Sequence, residues 1–344
     1  MVKDEETVIA RCLVSLASFC DRIVLLDTGS TDETLSIAST VLNELGVPFR
    51  ILHRPFDGFA ASRTFLVKHS REDSDWVLMV DADMTLSGVR PELPDDSEIG
   101  LVEFIYDGLV HTRAAYLSSP VEWRYEGELH EYVTADVPYG AARIAGVTLT
   151  HHGHAGDQRS AEEDLEILER NAKLQPNEPR WKFYMAQTFK VMHRNEEAIA
   201  MYREAAILGE DGSEWVWYCM FQSALIARDT VALLRACVLR PWRAEGWYAL
   251  ACLLSDEQMY DSALPYAEKA SQLQEPDDFL FINRAVYQWG ARYEWTICLA
   301  ATGHLREAIN NGATMLRHRY KMPPSVVIEL ERNMEAWEAL GVRK

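Results

Sequence analysis

Apolar and polar positions follow a pattern along the first part of the chain that predicts helices and strands in turn. The predicted segments are helix 5–19, strand 22–27, helix 35–42, strand 49–53, helix 60–69 and strand 76–80. Ser30 or Thr31 is expected to cap the second helix. Strands over 98–106, 113–117 and 144–149 follow. Helices that alternate with strands are typical of a mostly parallel sheet covered on both faces, so we expect an α/β fold.

Two carboxylates, Asp81 and Asp83, close the apolar run over residues 76–80. A strand places residues i and i+2 on the same face, so we expect the two side chains to project together. Two like charges at that distance favour a divalent cation, and hard oxygen ligands suit Mg²⁺ or Mn²⁺ beside a leaving diphosphate. The alternative interpretation is an Asp-rich turn that closes a buried strand. Asp27 ends another predicted strand, so we expect all three acids to converge on one crevice.

Length and charge narrow the classes of function. The chain has 344 residues, which is enough for two domains, and a net charge of -19, which makes nucleic acid an unfavourable partner. Its six cysteines show no C-x-x-C spacing and are expected to be small core residues in a reducing compartment. No apolar run is long enough for a membrane span, and residues 1–6 lack the order of a signal peptide. We therefore expect a soluble, cytoplasmic protein.

Four segments, in this order, resemble the landmarks of family-2-type glycosyltransferases with the GT-A fold. They are Val2-Lys3-Asp4-Glu5-Glu6, Asp27-Thr28-Gly29-Ser30, Asp57-Gly58-Phe59 with Arg63, and Asp81-Ala82-Asp83. The resemblance covers about the first 155 residues. It implies a Rossmann-like GT-A domain and a nucleotide-sugar donor, with a UDP-sugar as the expected one.

The resemblance also implies roles for single residues. The donor would be bound by Glu5, Asp27, Arg63, Asp81, Ala82 and Asp83. Asp27 would accept from the base or ribose, and Arg63 would approach the base or diphosphate. Asp81 and Asp83 would hold ribose and metal, with Asp83 in direct contact with the Mn²⁺ or Mg²⁺ ion.

Two departures from the family pattern stand out. Relatives usually have a full apolar strand before the Lys-Asp-Glu-Glu element, whereas only Met1 and Val2 precede it here. Either that strand is nearly absent or the chain begins late. An Asn commonly follows the Arg of the third landmark, and Thr64 stands there in this chain.

Residues 120–131 are rich in aromatic and acidic side chains. Trp123 and His130 are expected to bind the acceptor or its sugar, because ring faces pack on pyranose faces. The alternative interpretation is a hairpin whose aromatics lie in the core. The His-Glu pair resembles one in lipopolysaccharide core glucosyltransferases, and Glu131 is the candidate general base of an inverting transfer.

Three histidines, His151, His152 and His154, follow the predicted strand 144–149. Imidazole is a suitable further ligand once carboxylates hold a metal, and the family's pattern selects His151 as the metal ligand. The alternative interpretation is a solvated cluster of histidines.

From about residue 160 the apolar period changes to 3.6 and small residues recur at fixed offsets. The three copies are Met185-Ala186, Phe189, Ala198, Tyr202 and Ala205; Leu250-Ala251, Leu254, Ala263, Ala267 and Ala270; and Trp295-Thr296, Leu299, Ala308, Gly312 and Met315. Such spacing resembles tetratricopeptide repeats, which are helix hairpins. A degenerate copy is expected over residues 214–239 and a linking helix over 162–174. We therefore predict a glycosyltransferase domain over residues 1–158 and an all-α repeat domain over 159–344.

The combination resembles peptide S-glycosyltransferases and repeat-bearing glycosyltransferases of bacteria and phages. It implies a protein or glycan acceptor that docks on the repeats, and it allows a homodimer. Candidate surface residues are Arg180, Trp217, Arg243 and Trp247, although the sequence does not single them out.

The expected function is transfer of a sugar from a nucleotide-diphosphate donor to an acceptor hydroxyl or thiol with a divalent metal. A retaining transferase with the same metal site stays open. So do a repeat scaffold with a decayed transferase domain and a nucleotide-sugar hydrolase or nucleotidyltransferase.

Overall fold

The computed structural model describes residues 1–153, 160–210 and 212–341. The chain divides into two compact units, Met1–Ile167 and Leu168–Lys344. The boundary predicted between residues 158 and 159 lies outside the described residues, as does His154.

The first unit begins with helices and strands in alternation and continues with strands alone. Its elements are α1 (Ile9–Leu16), β1 (Ile23–Asp27), α2 (Thr34–Leu45), β2 (Phe49–His53), α3 (Phe59–Ser70), β3 (Trp76–Leu78), β4 (Met84–Gly88), β5 (Ile99–Tyr106), β6 (Leu109–Ser118), β7 (Arg124–Glu126), β8 (Tyr132–Thr134) and β9 (Ala141–His151). The mixed α/β class expected from the sequence is confirmed.

The strands pair in a mixed way, not in the mostly parallel way that was expected. β1 pairs with β2 in parallel, and Val2 adds a single parallel bridge to Asp27. A larger sheet contains the order β6-β5-β9-β4, with β3 on β6; β5 and β9 run parallel, whereas β3–β6, β5–β6 and β4–β9 are antiparallel. Residues 79–140, all of which the structure describes, contain no helix, and Asp107-Gly108 at positive φ turn β5 directly into β6. A two-residue turn joins antiparallel neighbours, which explains the difference.

Two apolar clusters hold the first unit together. One lies between α1 and the sheet and contains Cys12, Leu13, Val102 and Leu149, all nearly inaccessible. The other joins α3 to β1, β3 and β6 and includes Leu26, Val67, Val77, Leu117 and Trp123. Both clusters therefore lie between helices and strands.

The cap of α2 is not the one expected. Neither Ser30 nor Thr31 caps the helix; instead Asp32 Oδ1 accepts from the backbone N–H of Thr34 at 3.0 Å, the first residue of α2. Asp32 also accepts from the backbone N–H of Glu6 at 3.1 Å. This acid therefore ties the start of α2 to the segment before α1.

The second unit is built mainly from helices. They are α4 (Ala161–Leu174), which crosses the unit boundary, α5 (Pro179–Val191), α6 (Asn195–Leu208), α7 (Glu214–Ile226), α8 (Thr230–Leu239), α9 (Ala244–Asp256), α10 (Tyr260–Gln272), α11 (Ala291–Ala301), α12 (Leu305–Arg317) and α13 (Pro324–Gly341). A two-residue strand β10 (Ile282–Asn283), a π-helical turn (Val286–Gly290) and a 3₁₀ turn (Arg319–Lys321) complete it. Among the described residues, no helix is both long enough and apolar enough to cross a bilayer.

The small residues at repeated offsets lie where neighbouring helices meet. Ala186, Ala198 and Ala205 have no exposed surface, and neither have Ala251, Ala263 and Ala308. These positions lie in the consecutive pairs α5 and α6, α9 and α10, and α11 and α12. The predicted tetratricopeptide-like hairpins are therefore confirmed, because only small side chains let the helices approach so closely.

Residues 278–283, here called the strap, contact α5, α7 and the residue that precedes α9. Phe281 stacks on Tyr218 of α7 with ring centroids 3.8 Å apart and lies 5.7 Å from Phe183 of α5. Fully buried Arg243 donates to Asp278 Oδ2 at 3.0 Å and to the Phe281 carbonyl at 2.7 Å. The strap is therefore an integral part of the helical unit.

This packing corrects the choice of surface residues in the helical unit. Trp217, Arg243 and Trp247 are buried, with the Arg243 guanidinium 4.3 Å from the Trp217 ring centroid. Only Arg180 of the four candidates is half-buried. The three buried residues belong to the core and not to a surface for partners.

The buried alanines give a stability test with a control on the same helix. Ala198→Leu should lower the free energy of unfolding by about 1–3 kcal/mol, because three extra carbons enter a packed interface. Ala200 lies two residues away on α6 and is exposed, so Ala200→Leu should change it by less than about 0.5 kcal/mol. Urea unfolding followed by circular dichroism measures both, and equal effects would contradict the assigned helix faces.

Candidate active site

Asp81 is the most strongly held acid at the end of β3. Its Oδ1 lies 2.7 Å from Nη2 of Arg63 on α3, and its Oδ2 lies 2.8 Å from Nη2 of Arg113 on β6. The side chains are 25%, 14% and 27% exposed, so the ion pairs are largely shielded from water. Three separate elements therefore meet at this carboxylate.

The charges around Asp81 fix its protonation state. Burial alone would raise its pKa, but the positive charges of Arg63 and Arg113 outweigh that effect and hold the pKa well below its ordinary value. Burial likewise opposes the charge on Arg63, whereas Asp81 and Glu131 raise the pKa of its guanidinium. Both partners are thus charged at neutral pH.

Glu131 joins the same network from the opposite side of Arg63. Its Oε1 lies 2.8 Å from Arg63 Nε, and its side chain is 11% exposed. The Arg63 guanidinium therefore bridges two carboxylates, one at the end of β3 and one just before β8. The candidate base and the candidate donor-binding acid share this one cation.

Asp81 and Asp83 do not project together as a strand would place them. Residues 81–84 form a turn, closed by a 3.1 Å hydrogen bond from the Met84 N–H to the Asp81 carbonyl. Asp83 therefore has a partner of its own: its Oδ2 lies 2.8 Å from His151 Nε2. The Ala82 side chain between them is buried in the core under α1.

Strand pairing sets the position of His151. β4 begins directly after Asp83, and its first residue, Met84, lies opposite His151 of β9. The His152 N–H donates to the Asp83 carbonyl at 3.2 Å, and His152 Nε2 lies 2.7 Å from Thr85 Oγ1. The two adjacent imidazoles thus have different partners, and the His151 ring is the one that pairs with the Asp83 carboxylate.

The Asp83–His151 pair fits a divalent metal. Two ligands of an octahedral ion with bonds of about 2.1 Å lie about 3 Å apart, close to the 2.8 Å between these atoms. An oxygen and an imidazole nitrogen together suit Mn²⁺ better than Mg²⁺. The described residues contain no group of three or more His, Cys, Asp or Glu side chains that could hold a metal. Asp83 and His151 would therefore hold the ion together with donor oxygens or water.

Asp27 and Glu5 lie at the carboxyl end of β1. Asp27 is buried, accepts from the Ser30 N–H at 2.9 Å and lies 3.2 Å from His53 Nδ1. Burial would raise its pKa, but the hydrogen bonds from Ser30 and His53 lower it overall. The backbone N–H of Glu5 donates to Thr34 Oγ1 at 2.7 Å, which places this residue beside the start of α2.

The two residues predicted to bind the acceptor or its sugar differ in their exposure to solvent. Trp123 is 5% exposed, and its indole N–H donates to the Ser118 carbonyl at 2.8 Å. This corrects the expectation of a sugar-binding ring there, because the ring faces the core. His130 is exposed with φ 52 and directly precedes Glu131.

Arg113 is the residue of this charge network that the sequence interpretation missed. It lies in the middle of a strand, outside the four landmarks. The available signal was an arginine in the interior of a strand, because a charge there requires a partner.

The Arg63 bridge generates a test of stability. Arg63→Met should lower the free energy of unfolding by about 3–5 kcal/mol, because Asp81 and Glu131 then lose a shielded cation. Arg50→Met is the matched control, since the Arg50–Glu72 pair is 40% and 59% exposed and should contribute less than about 1 kcal/mol. Denaturant unfolding of the full chain measures both, and a small effect at Arg63 would contradict the bridge.

Comparisons with known proteins relate the first unit to glycosyltransferases. Residues 1–89 match the family model described as "Glycosyl transferase family 2". An uncharacterized glycosyltransferase of Rickettsia typhi is 32% identical over 122 residues, which are 36% of this chain and 36% of that protein. The SPbeta prophage-derived glycosyltransferase SunS of Bacillus subtilis is 20% identical over 218 residues, 58% of this chain and 50% of that protein.

The chain thus spans about a third to a half of the length of these curated relatives. Among solved structures, the MamA protein aligns with a TM-score of 0.38 and 17% identity over 47% of this chain and 84% of that one. The description of the second unit as tetratricopeptide-like rests on its helix pairs and their buried small residues. The chain therefore contains a glycosyl transferase family 2 domain in residues 1–89, and tetratricopeptide-like helix pairs follow it.

Proposed function

We propose that this chain transfers a sugar from a nucleotide-diphosphate donor to an acceptor hydroxyl or thiol with the help of a divalent metal. The observation that carries the proposal is that the two acids of the turn after β3 have different partners. Asp81 is neutralised by two arginines, whereas Asp83 is paired with an imidazole at the spacing of two metal ligands. A carboxylate already neutralised by cations suits hydrogen bonding, and the second suits a metal.

In this proposal Asp83 and His151 hold Mn²⁺ or Mg²⁺, and the bound ion would stabilise the negative charge of the departing diphosphate. Arg63 and Arg113 orient Asp81, whose oxygens keep lone pairs for ribose hydroxyls. Asp27 accepts from the base or ribose at the end of β1, with Glu5 beside it. Ala82 contributes backbone groups, because its side chain is buried.

Glu131 is the proposed general base, which would make the transfer inverting. Arg63 contacts its Oε1, so the acceptor proton would go to Oε2. The ion pair keeps this carboxylate within one guanidinium of Asp81. His130 would help to bind the acceptor at the exposed edge of the same loop.

The donor we propose is a UDP-sugar, and the acceptor is a protein or a glycan. An acceptor protein docked on the helix pairs would have to contact exposed helix surface or replace the strap, because Trp217 and Arg243 are buried. We also propose a cytoplasmic location in a bacterial or phage-infected cell, whose reducing environment would keep the six cysteines as thiols.

The experiment is a panel of UDP-sugars with Mn²⁺, scored by thermal shift and by release of UDP. We expect a Mn²⁺-dependent shift with at least one donor, and Asp83→Ala should lower UDP release at least about 100-fold, because it removes a group that stabilises developing charge. Glu131→Gln should keep the shift but lower release by about 10²–10⁴ as a lost general base.

Asp95→Ala is the matched control, since Asp95 is an exposed acid outside the site. Unchanged release in Asp83→Ala would contradict the metal role. Binding without release in the parent would favour a scaffold, and free sugar without a glycosylated acceptor would favour a hydrolase.

A further inference from the structure

A row of aromatic side chains lies on the face of the sheet that carries both ionic groups of the site. Phe104 and Tyr106 are alternate residues of β5, so their side chains point to the same face. Phe104 lies opposite His111 of β6 and beside Leu149 of β9. Two residues along those strands, Arg113 and His151 are on the same face.

The rings connect the two ionic groups directly. The Phe104 and Tyr106 rings are parallel within 6°, with centroids 6.4 Å apart. The Arg113 guanidinium lies 5.3 Å from the Phe104 centroid, and the Tyr106 ring meets the His151 ring nearly at right angles at 4.8 Å. The row therefore runs from the cation on Asp81 to the proposed metal ligand on Asp83.

The row ends at the solvent-exposed surface. Tyr106 is 50% exposed, Phe104 is partly buried, and both lie at the end of β5 that leads to the Asp107-Gly108 turn. A ring half open to solvent keeps part of its surface free for a ligand, and this ring also contacts His151 of the candidate site. Its parallel neighbour gives it a fixed orientation.

We propose that Phe104 and Tyr106 form a binding platform for the apolar face of a sugar ring. The proposal rests on the proposed function, and it assigns to β5 the role that was expected of Trp123. C–H groups on one pyranose face pack on aromatic rings, while the hydroxyls need donors and acceptors nearby. Arg113 donates at one end of the row.

His111 supplies a second polar group beside Phe104. Burial lowers its pKa to about 4, so the imidazole is neutral at physiological pH. A neutral imidazole has one donor and one acceptor nitrogen, which matches a sugar hydroxyl.

The sugar has two sources: the hexose of the donor or a saccharide on the acceptor. Calorimetry in Mn²⁺ with UDP and with UDP-glucose or UDP-N-acetylglucosamine separates them. If the donor sugar stacks there, Tyr106→Ala weakens the UDP-sugar about tenfold and leaves UDP unchanged. If an acceptor saccharide stacks there, both affinities persist and KM for that acceptor rises about tenfold with kcat little changed.

Tyr106→Phe keeps the ring and should retain the parent values in both arms. Tyr320→Ala, which removes a tyrosine 77% exposed in the helical unit, controls for loss of an exposed ring. Unchanged UDP-sugar affinity and unchanged acceptor KM in Tyr106→Ala would overturn the platform.

A measurement without nucleotide tests the sugar platform independently of the proposed transfer reaction. Saturation-transfer NMR with methyl glucopyranoside and methyl N-acetylglucosaminide should show ring contacts in the parent that disappear in Tyr106→Ala and persist in Tyr320→Ala. If the parent protein releases no UDP but the ring contacts still disappear only in Tyr106→Ala, the proposed transfer reaction is wrong and the platform is supported. If signals are equal in all variants, the platform fails.

Discussion

The shielded carboxylate of Asp81 is the constraint on which the arrangement of the site depends. A largely buried negative charge is costly unless cations and hydrogen bonds compensate it, and here two guanidinium groups do so. Arg63 lies on α3 and Arg113 on β6. The negative charge of Asp81 is therefore compensated only when the helix, the turn and the strand are all in place. Arg63 also contacts Glu131, which extends the same requirement to the loop before β8.

Because each oxygen of Asp81 contacts an arginine, whereas Asp83 contacts a histidine, the two acids of Asp81-Ala82-Asp83 are not equivalent. The turn over residues 81–84 directs Asp83 to His151, and the pairing of β4 with β9 keeps that imidazole in place. The structure thus separates a charge network that holds the walls of the site from a pair that suits a metal. The aromatic row on β5 connects Arg113 of the charge network to His151 of the pair along one face of the sheet.

The sequence predicted the helices and strands around the site better than the contacts that the site residues make. Runs such as residues 22–27 and 49–53 match β1 and β2 within one residue, because β-branched runs bounded by polar residues have few alternatives. The acids at strand ends and the repeated small residues of the helix pairs were recognised for the same reason. The prediction that Asp81 and Asp83 share a face assumed that the strand continued through them, and the interpretation as a turn describes the backbone correctly.

Other features depend on contacts between distant segments, which local patterns do not contain. Arg113 is separated from Asp81 by 32 residues, and Phe104 meets His111 only through the hairpin register. The burial of Trp123 and Trp217 likewise follows from tertiary packing, since aromatic residues in a loop or on a helix suit either a core or a surface.

The most direct test of the central claim concerns the nitrogen ligand of the metal. Pulsed electron paramagnetic resonance of Mn²⁺ bound with UDP should show coupling to a ¹⁴N nucleus, because His151 would be a ligand beside Asp83. The coupling should vanish in His151→Ala and persist in His152→Ala, since His152 contacts Thr85 instead. Mn²⁺ bound with UDP but without nitrogen coupling in the parent, or coupling that survives in His151→Ala, would contradict the account.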